Sequence, residues 1–165
     1  MNIFATDSCP FESADALPDV LVNKMILESA QMLSTAHFEL DGQQVGYKPT
    51  HKNHPCAVWA RASTGNYGWL FTHLLALVCE YNHRTQKQHA TARMLKALQQ
   101  PPKQCKVADA SFTFCCMPDE LKQSTDIHEN YRSYLNQKYA VWADRTDKRP
   151  IVAKWTNRTK PKWVL

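Results

Sequence analysis

The sequence predicts a mainly α fold in one compact domain, built on two long central helices with a long loop between them and a basic aromatic C-terminal tail. Three observations carry that expectation. The chain has 165 residues, 44% hydrophobic and 21% charged, the size and balance of one packed core. Two segments, Leu17 to about Phe38 and about Asn66 to Arg84, are rich in Leu, Met, Ile and Ala at helical spacing. With 4 Gly, 10% aromatic residues and 5 Trp, the composition excludes a disordered or low-complexity chain.

Residues 1–16 form an N-terminal arm whose start, Met1 to Thr6, holds the short apolar run Ile3-Phe4-Ala5 and is expected as a buried arm or a short strand, not a helix, before Pro10. Pro18 suits the first turn of a helix and Asp19 complements its dipole. Residues 39–63 carry Gly42, Gly46, Pro49 and Pro55 and predict a loop with at most a helical turn at Ala57 to Ala62. After the second long helix a shorter one is expected from His89 to Gln99, stopped by Pro101 and Pro102, then an irregular stretch 100–117. A last helix is expected from Asp126 to about Asp144 with Thr125 as its N-cap. No repeat or internal boundary interrupts the single domain 1–165.

The formal charge is +5, and residues 143–165 hold seven cations against two carboxylates, which is that whole excess. Within this tail, 145–165, Lys154, Trp155, Arg158, Lys160, Lys162 and Trp163 combine fixed positive charge with flat rings, a composition suited to phosphates and bases. The same tail could instead fold back on the domain. DNA, in duplex form, is the expected partner, and deleting residues 150–165 is expected to weaken its binding more than it destabilises the core.

The first twenty residues lack the cationic start and apolar stretch of a secretory signal, and the longest apolar run, Leu74 to Cys79, is far short of the roughly 20 residues that span a bilayer. No membrane contact is expected, and a cytoplasmic, reducing compartment follows. The six cysteines are therefore expected as free thiols. Cys115 and Cys116 are adjacent, poor spacing for one zinc ion. His51, His54 and Cys56 suggest a metal set more weakly than they suggest polar scaffolding or substrate contacts, so no metal and no cofactor is expected.

At about 100° per residue, Lys24, Glu28, Gln31 and Thr35 fall within about 60° on the first long helix, while Asn66, His73, Glu80 and Arg84 fall within about 40° on the second. These narrow strips on otherwise apolar helices favour a polar cleft over an ordinary solvated strip, with Glu28 the first candidate for acid–base work. Burying Glu28 or Glu80 unpaired is costly, so each is expected either to pair with Lys24 or Arg84, one helical turn away, or to line a water- or ligand-filled site. The loop Tyr47 to Cys56 supplies His51 and His54 for proton transfer or, when charged, phosphate binding, with fixed positive charge from Lys48 and Lys52; it either closes over the cleft or is an ordinary surface loop.

The order of these parts resembles the small helical bacteriophage pyrimidine-dimer DNA glycosylases of the endonuclease V type. The resemblance rests on the N-terminal arm, a first helix bearing Glu28, the loop with Lys52-Asn53-His54-Pro55, a second helix ending in Glu80 and Arg84, and the tail from Arg149-Pro150 to Trp163. Met1-Asn2-Ile3-Phe4, Lys24 to Leu33 and His51 to Pro55 are also similar to a family of uncharacterised phage proteins. The glycosylase resemblance implies that the chain's α-amino group attacks the sugar C1′ to form an imine, supported by Glu28. The nucleophile would be Met1 or, after its removal, Asn2, a bulkier residue than the family exposes. Only Lys24 stands where the family clusters arginines. The implied activity is base–sugar cleavage in DNA, with His51 and His54 assisting and Lys24, Lys48, Lys52, Arg84 and the tail holding phosphates. Two other readings fit the same residues: a nucleic-acid-binding module without chemistry, and an enzyme acting on a nucleotide or modified base.

Overall fold

A computed structural model describes residues 1–112 and 116–165; Cys115 lies outside them. Among the described residues there are six α-helices and no strand: α1 Pro10–Asp15, α2 Asp19–Asp41, α3 Pro55–Ala60, α4 Thr64–Thr85, α5 Leu95–Leu98 and α6 Ile127–Asp144. The mainly α expectation holds, with differences at the element ends. A short helix interrupts the arm because Pro10 occupies a first-turn position, where its missing N–H costs nothing. Pro18 stands outside α2 as its N-cap, and α2 continues past Phe38 until Gly42, whose left-handed φ of +68° lets its N–H close on the Phe38 carbonyl at 3.0 Å. Asp126, rather than Thr125, caps α6 by accepting the His128 N–H at 2.8 Å.

The segment expected as a helix from His89 to Gln99 is a 3₁₀ turn, Ala90–Met94, followed by the single turn of α5. A segment this short has too few internal hydrogen bonds to dictate its own form, so tertiary contacts decide it. Here the Thr91 hydroxyl meets Tyr47 Oη at 2.8 Å and His89 Nδ1 accepts the Thr91 N–H at 3.1 Å.

The core forms where α2 lies against α4, burying Leu21, Met25, Ile26 and Leu33 with Leu70, Leu74 and Leu77. The start of the arm, Ile3 to Ala5, is buried as expected and is not helical. Its path depends on Phe4, which holds a φ of +47° that non-glycine residues rarely adopt. Asn2 Oδ1 accepts both the Ile3 N–H (2.8 Å) and the Phe4 N–H (3.2 Å), and the Phe4 ring lies against Tyr131 and Tyr134 of α6. The arm is thus bent back so that its first two residues reach the side of α2.

His73 of α4 is fully buried, stacked on Trp69, and neither ring nitrogen has a hydrogen-bond partner among the described residues. Burial lowers its pKa from 6.5 to about 3, so the folded protein holds it neutral while the unfolded chain protonates it below 6.5. Stability is therefore lost as pH falls from 6.5 towards 3, with a slope from this group of up to about 1.4 kcal/mol per pH unit. His73→Phe is expected to flatten that slope in urea melts at pH 7, 5 and 4; an unchanged slope would mean that His73 is not the group responsible.

Candidate functional site

The bent arm brings the start of the chain to Glu28. Glu28 Oε2 accepts the Asn2 N–H at 3.1 Å and lies 4.0 Å from the α-amino nitrogen of Met1, while Oε1 is 3.6 Å from Lys24 Nζ. The Glu28 side chain is 15% exposed, and Lys24 is open to solvent, so the carboxylate sits at the edge of the core and remains reachable. The arrangement can pass a proton between an amine and a carboxylate in a partly desolvated setting, where such contacts are stronger than in water.

Two groups join this centre that sequence spacing did not single out. Lys138 of α6 lies over the rings of Tyr134 and Trp142, 5.5 and 5.2 Å from their centres. Burial and the nearby charge of Lys24 lower its pKa, with Glu28 opposing, which places all three groups in one electrostatic neighbourhood. The Cys116 carbonyl accepts Asn2 Nδ2–H at 2.7 Å, and its sulfur lies 3.8 Å from His54 Nε2. The neighbouring Cys56 thiol lowers the Cys116 pKa against burial, helped by the α-amino group and Lys122. The same neighbour, together with burial, pushes Cys56 up. Cys116 and Lys138 are 88 and 110 residues from Glu28, so no local pattern could have linked them to it.

His54 Nδ1 accepts the Cys56 N–H at 3.2 Å and so caps α3, whose helical start at Pro55 was expected only from Ala57 onward. Burial, the α-amino group and His51 lower the His54 pKa, with Glu28 opposing, so its ring is neutral near pH 7 rather than a cation for phosphate. His51 is exposed, with a φ of +48° and its Nδ1 2.7 Å from Thr50 Oγ1. Lys48 is exposed, and Lys52 Nζ approaches Glu39 at 3.9 Å. The loop does not hang free over a cleft. The Ser34 hydroxyl accepts the Tyr47 N–H at 3.0 Å, and the Thr35 hydroxyl accepts the Thr50 N–H at 3.1 Å, so α2 pins the loop along its side.

The second polar strip is a separate structure. Asn66 holds the Trp59 carbonyl and the Ser111 N–H, tying neighbouring segments to the start of α4. Arg84, with a side chain 1% exposed, donates to Glu80 Oε2 (3.0 Å), Asp19 Oδ1 (3.1 Å), and the carbonyls of Leu17 (2.7 Å) and Asp15 (2.8 Å). The expected phosphate contact from Arg84 is corrected by this burial: every arm of the guanidinium is spent inside the fold. The expected pairings Lys24–Glu28 and Glu80–Arg84 are both present, and Glu80 and Arg84 share their network with Asp15 and Asp19 rather than with Glu28.

The tail also turns inward in part. Arg158 forks onto Glu80 (3.0 and 2.6 Å) and Asp15 (2.8 Å), and Trp155 donates its indole N–H to the Ala16 carbonyl at 3.0 Å. Trp155 and Trp163 are half-buried, whereas Lys154, Lys160 and Lys162 are exposed. Thr156 anchors on Asp19 at 2.7 Å. Nine residues of helix separate Asp19 from Glu28, about 13 Å and half a turn beyond whole turns, so the tail anchors on the opposite side of α2 from the Glu28 centre. No helix is long and apolar enough to cross a membrane among the described residues.

A family model described as pyrimidine dimer DNA glycosylase matches residues 1–94, which include the arm, α2, the pinned loop and α4. No curated protein and no solved structure matches the chain.

Proposed function

The chain belongs to the pyrimidine dimer DNA glycosylase family, and on that premise we propose that it cleaves base–sugar bonds in duplex DNA through an amine held against Glu28. The observation that carries the reading is the convergence of the Met1 α-amine and the Asn2 nitrogen on Glu28 Oε2, at 4.0 and 3.1 Å. If Met1 is removed, the Asn2 nitrogen becomes the terminal amine and already sits at hydrogen-bond distance from the carboxylate. An α-amine also suits the task better than Lys24, because its ordinary pKa lies much nearer neutrality than that of a lysine.

In this mechanism Glu28 takes a proton from the terminal ammonium, freeing the nitrogen lone pair. The nitrogen bonds to C1′ as the C1′–base bond breaks, and the base leaves with the pair and is protonated. Loss of the second nitrogen proton and opening of the sugar ring, with O4′ taking up a proton, give an imine that water later hydrolyses. The base–sugar bond must be reached by opening the duplex locally. Lys24, Lys48, Lys52 and Lys138 are the cations proposed to hold phosphates around this centre, with the exposed tail lysines 154, 160 and 162 extending the contact. His51 and His54 are proposed as assisting groups, His54 through its neutral ring.

Borohydride trapping on duplex DNA carrying a pyrimidine dimer or an abasic site tests this directly, with the protein's terminal residue fixed beforehand by mass. The expected result is a covalent adduct on the peptide containing the terminal amine. Salt-sensitive DNA binding with no adduct and no released base would instead establish a binding module without chemistry. Alteration of a free nucleotide, with duplex untouched, would move the activity to the nucleotide-modifying reading.

A further inference from the structure

We propose that His54, Cys56 and Cys116 form a binding site for a divalent cation of the zinc class. The candidate donor atoms, one imidazole nitrogen and two sulfurs, all lie within 4.8 Å of one another, and His54 Nε2 is 3.8 Å from Cys116 Sγ. An ion held tetrahedrally about 2.3 Å from sulfur and about 2.0–2.1 Å from nitrogen needs its donors roughly 3.5–3.8 Å apart. The cluster is thus close to the spacing an ion would impose before any ion is bound. Two sulfurs and an imidazole select zinc, cobalt or another thiophilic ion over magnesium and calcium, which require oxygen.

The set differs from the one suggested by sequence proximity. His51 is turned to solvent, and Cys116 takes its place from 60 residues further along the chain. His54 and Cys56 are held in position by the start of α3, where Pro55 lies between them and the Cys56 N–H meets His54 Nδ1. That hydrogen bond leaves the proton of the neutral ring on Nε2, facing Cys116. Binding an ion at Nε2 transfers the ring proton to Nδ1 and turns Nδ1 away from the Cys56 N–H. One hydrogen bond between neutral groups is a small loss against three bonds to a metal, and the two thiols release their protons as the ion enters.

Three protein donors leave a fourth position for water or an oxygen ligand. The ion would also act on the arm: it fixes Cys116, whose carbonyl receives Asn2 Nδ2–H, and Asn2 in turn shapes the bend at Phe4. The site stands on its own donors and does not depend on the glycosylase reading; with the ion bound, His54 serves as a ligand and the assisting role falls to His51 alone.

The test uses the full chain, reduced with a phosphine and stripped with a chelator, titrated with Co²⁺ and then with Zn²⁺. One Co²⁺ per chain with a thiolate-to-metal absorption band, displaced by Zn²⁺, is expected. Cys116→Ser should weaken binding by more than the roughly 10–100-fold that changes around metal ligands cost, and Cys79→Ser, at an exposed thiol outside the cluster, should leave it unchanged. The unmutated protein gives an independent readout: Zn²⁺ should slow alkylation of Cys116 by iodoacetamide and leave Cys79 as reactive as before. Absence of stoichiometric Co²⁺ binding, a cobalt spectrum without the thiolate band, or equal binding by Cys116→Ser would each overturn the site.

Discussion

Glu28→Gln is expected to lower the rate of borohydride-trappable imine formation by about 10²–10⁴-fold, the range that a positioned proton-transfer group contributes. The amide keeps the shape of the carboxylate and can still accept the Asn2 N–H, now at 3.1 Å from Oε2, so the bent arm has reason to stay in place. What it loses is the ability to take the ammonium proton and the attraction for Lys24, 3.6 Å away. Because the side chain sits at the edge of the core and its ion pair with Lys24 is open to water, the stability cost is expected to be about 1 kcal/mol or less. The kinetic and thermal effects should therefore separate clearly. Trapping at the normal rate by a stably folded Glu28→Gln protein would remove the carboxylate from the chemistry, and an equal loss in trapping and in folded protein would make its role structural.

Arg84→Met carries the second large expectation, and it concerns stability. Removing the guanidinium leaves the Leu17 and Asp15 carbonyls without this donor and takes one cationic partner from Glu80 and one from Asp19. Breaking a buried ion pair from one side typically costs about 3–5 kcal/mol, and for a chain of this length that is a fall in Tm of roughly 6–20 °C. Arg158→Ala removes a guanidinium that is one-third exposed, and its cost is expected to be about 1 kcal/mol or less after screening by solvent. Comparable melting temperatures for Arg84→Met and the unmutated chain would show that the network does not hold the fold.

The same network sets a pH dependence. Burial raises the Glu80 pKa, but the hydrogen bonds from Arg158 and Arg84 and their charges outweigh it, and the net value lies below the ordinary 4.5. A carboxylate depressed on folding stabilises the protein above its unfolded pKa and loses that contribution as pH falls through the folded one. The Glu80 contribution is therefore intact at pH 6 and declines below about 4.5, at lower pH than the onset of the His73 effect near 6.5. Glu80→Gln should make the loss of stability below about pH 4.5 less steep and leave the slope between 6.5 and 4.5, where His73 acts, unchanged.

The helices and the arm were legible because local chemistry specifies them. The apolar surfaces of α2 and α4 recur at the helical period, while the caps that end α2 at Gly42 and begin α6 at Asp126 were not the ones the sequence suggested. The pairing of Glu80 with Arg84 and of Glu28 with Lys24 follows from one-turn spacing alone. The form of the 90–98 segment was not legible, since a few residues without a strong pattern take the conformation their neighbours require. The family of the chain was recognisable from the order of arm, Glu28, loop and second helix, and the matching family model covers that same region.

By itself, the sequence determined the two long helices and the last one, the burial of the start of the arm, and the place of Glu28 one turn from Lys24 on the first long helix. Only the tertiary structure decided which charges remain available. Arg158 was indistinguishable from Lys160 or Lys162 as a sequence cation, and Arg84 was expected both to pair with Glu80 and to hold phosphate, but desolvation forces a buried charge to find partners, and Glu80, Asp15 and Asp19 supply them. The tertiary structure likewise placed Met1 and Asn2 against Glu28 and brought Lys138 and Cys116 to the same centre. Those contacts depend on the left-handed bend at Phe4 and on α6 crossing the arm, both of which arise from packing between segments that are distant in the chain.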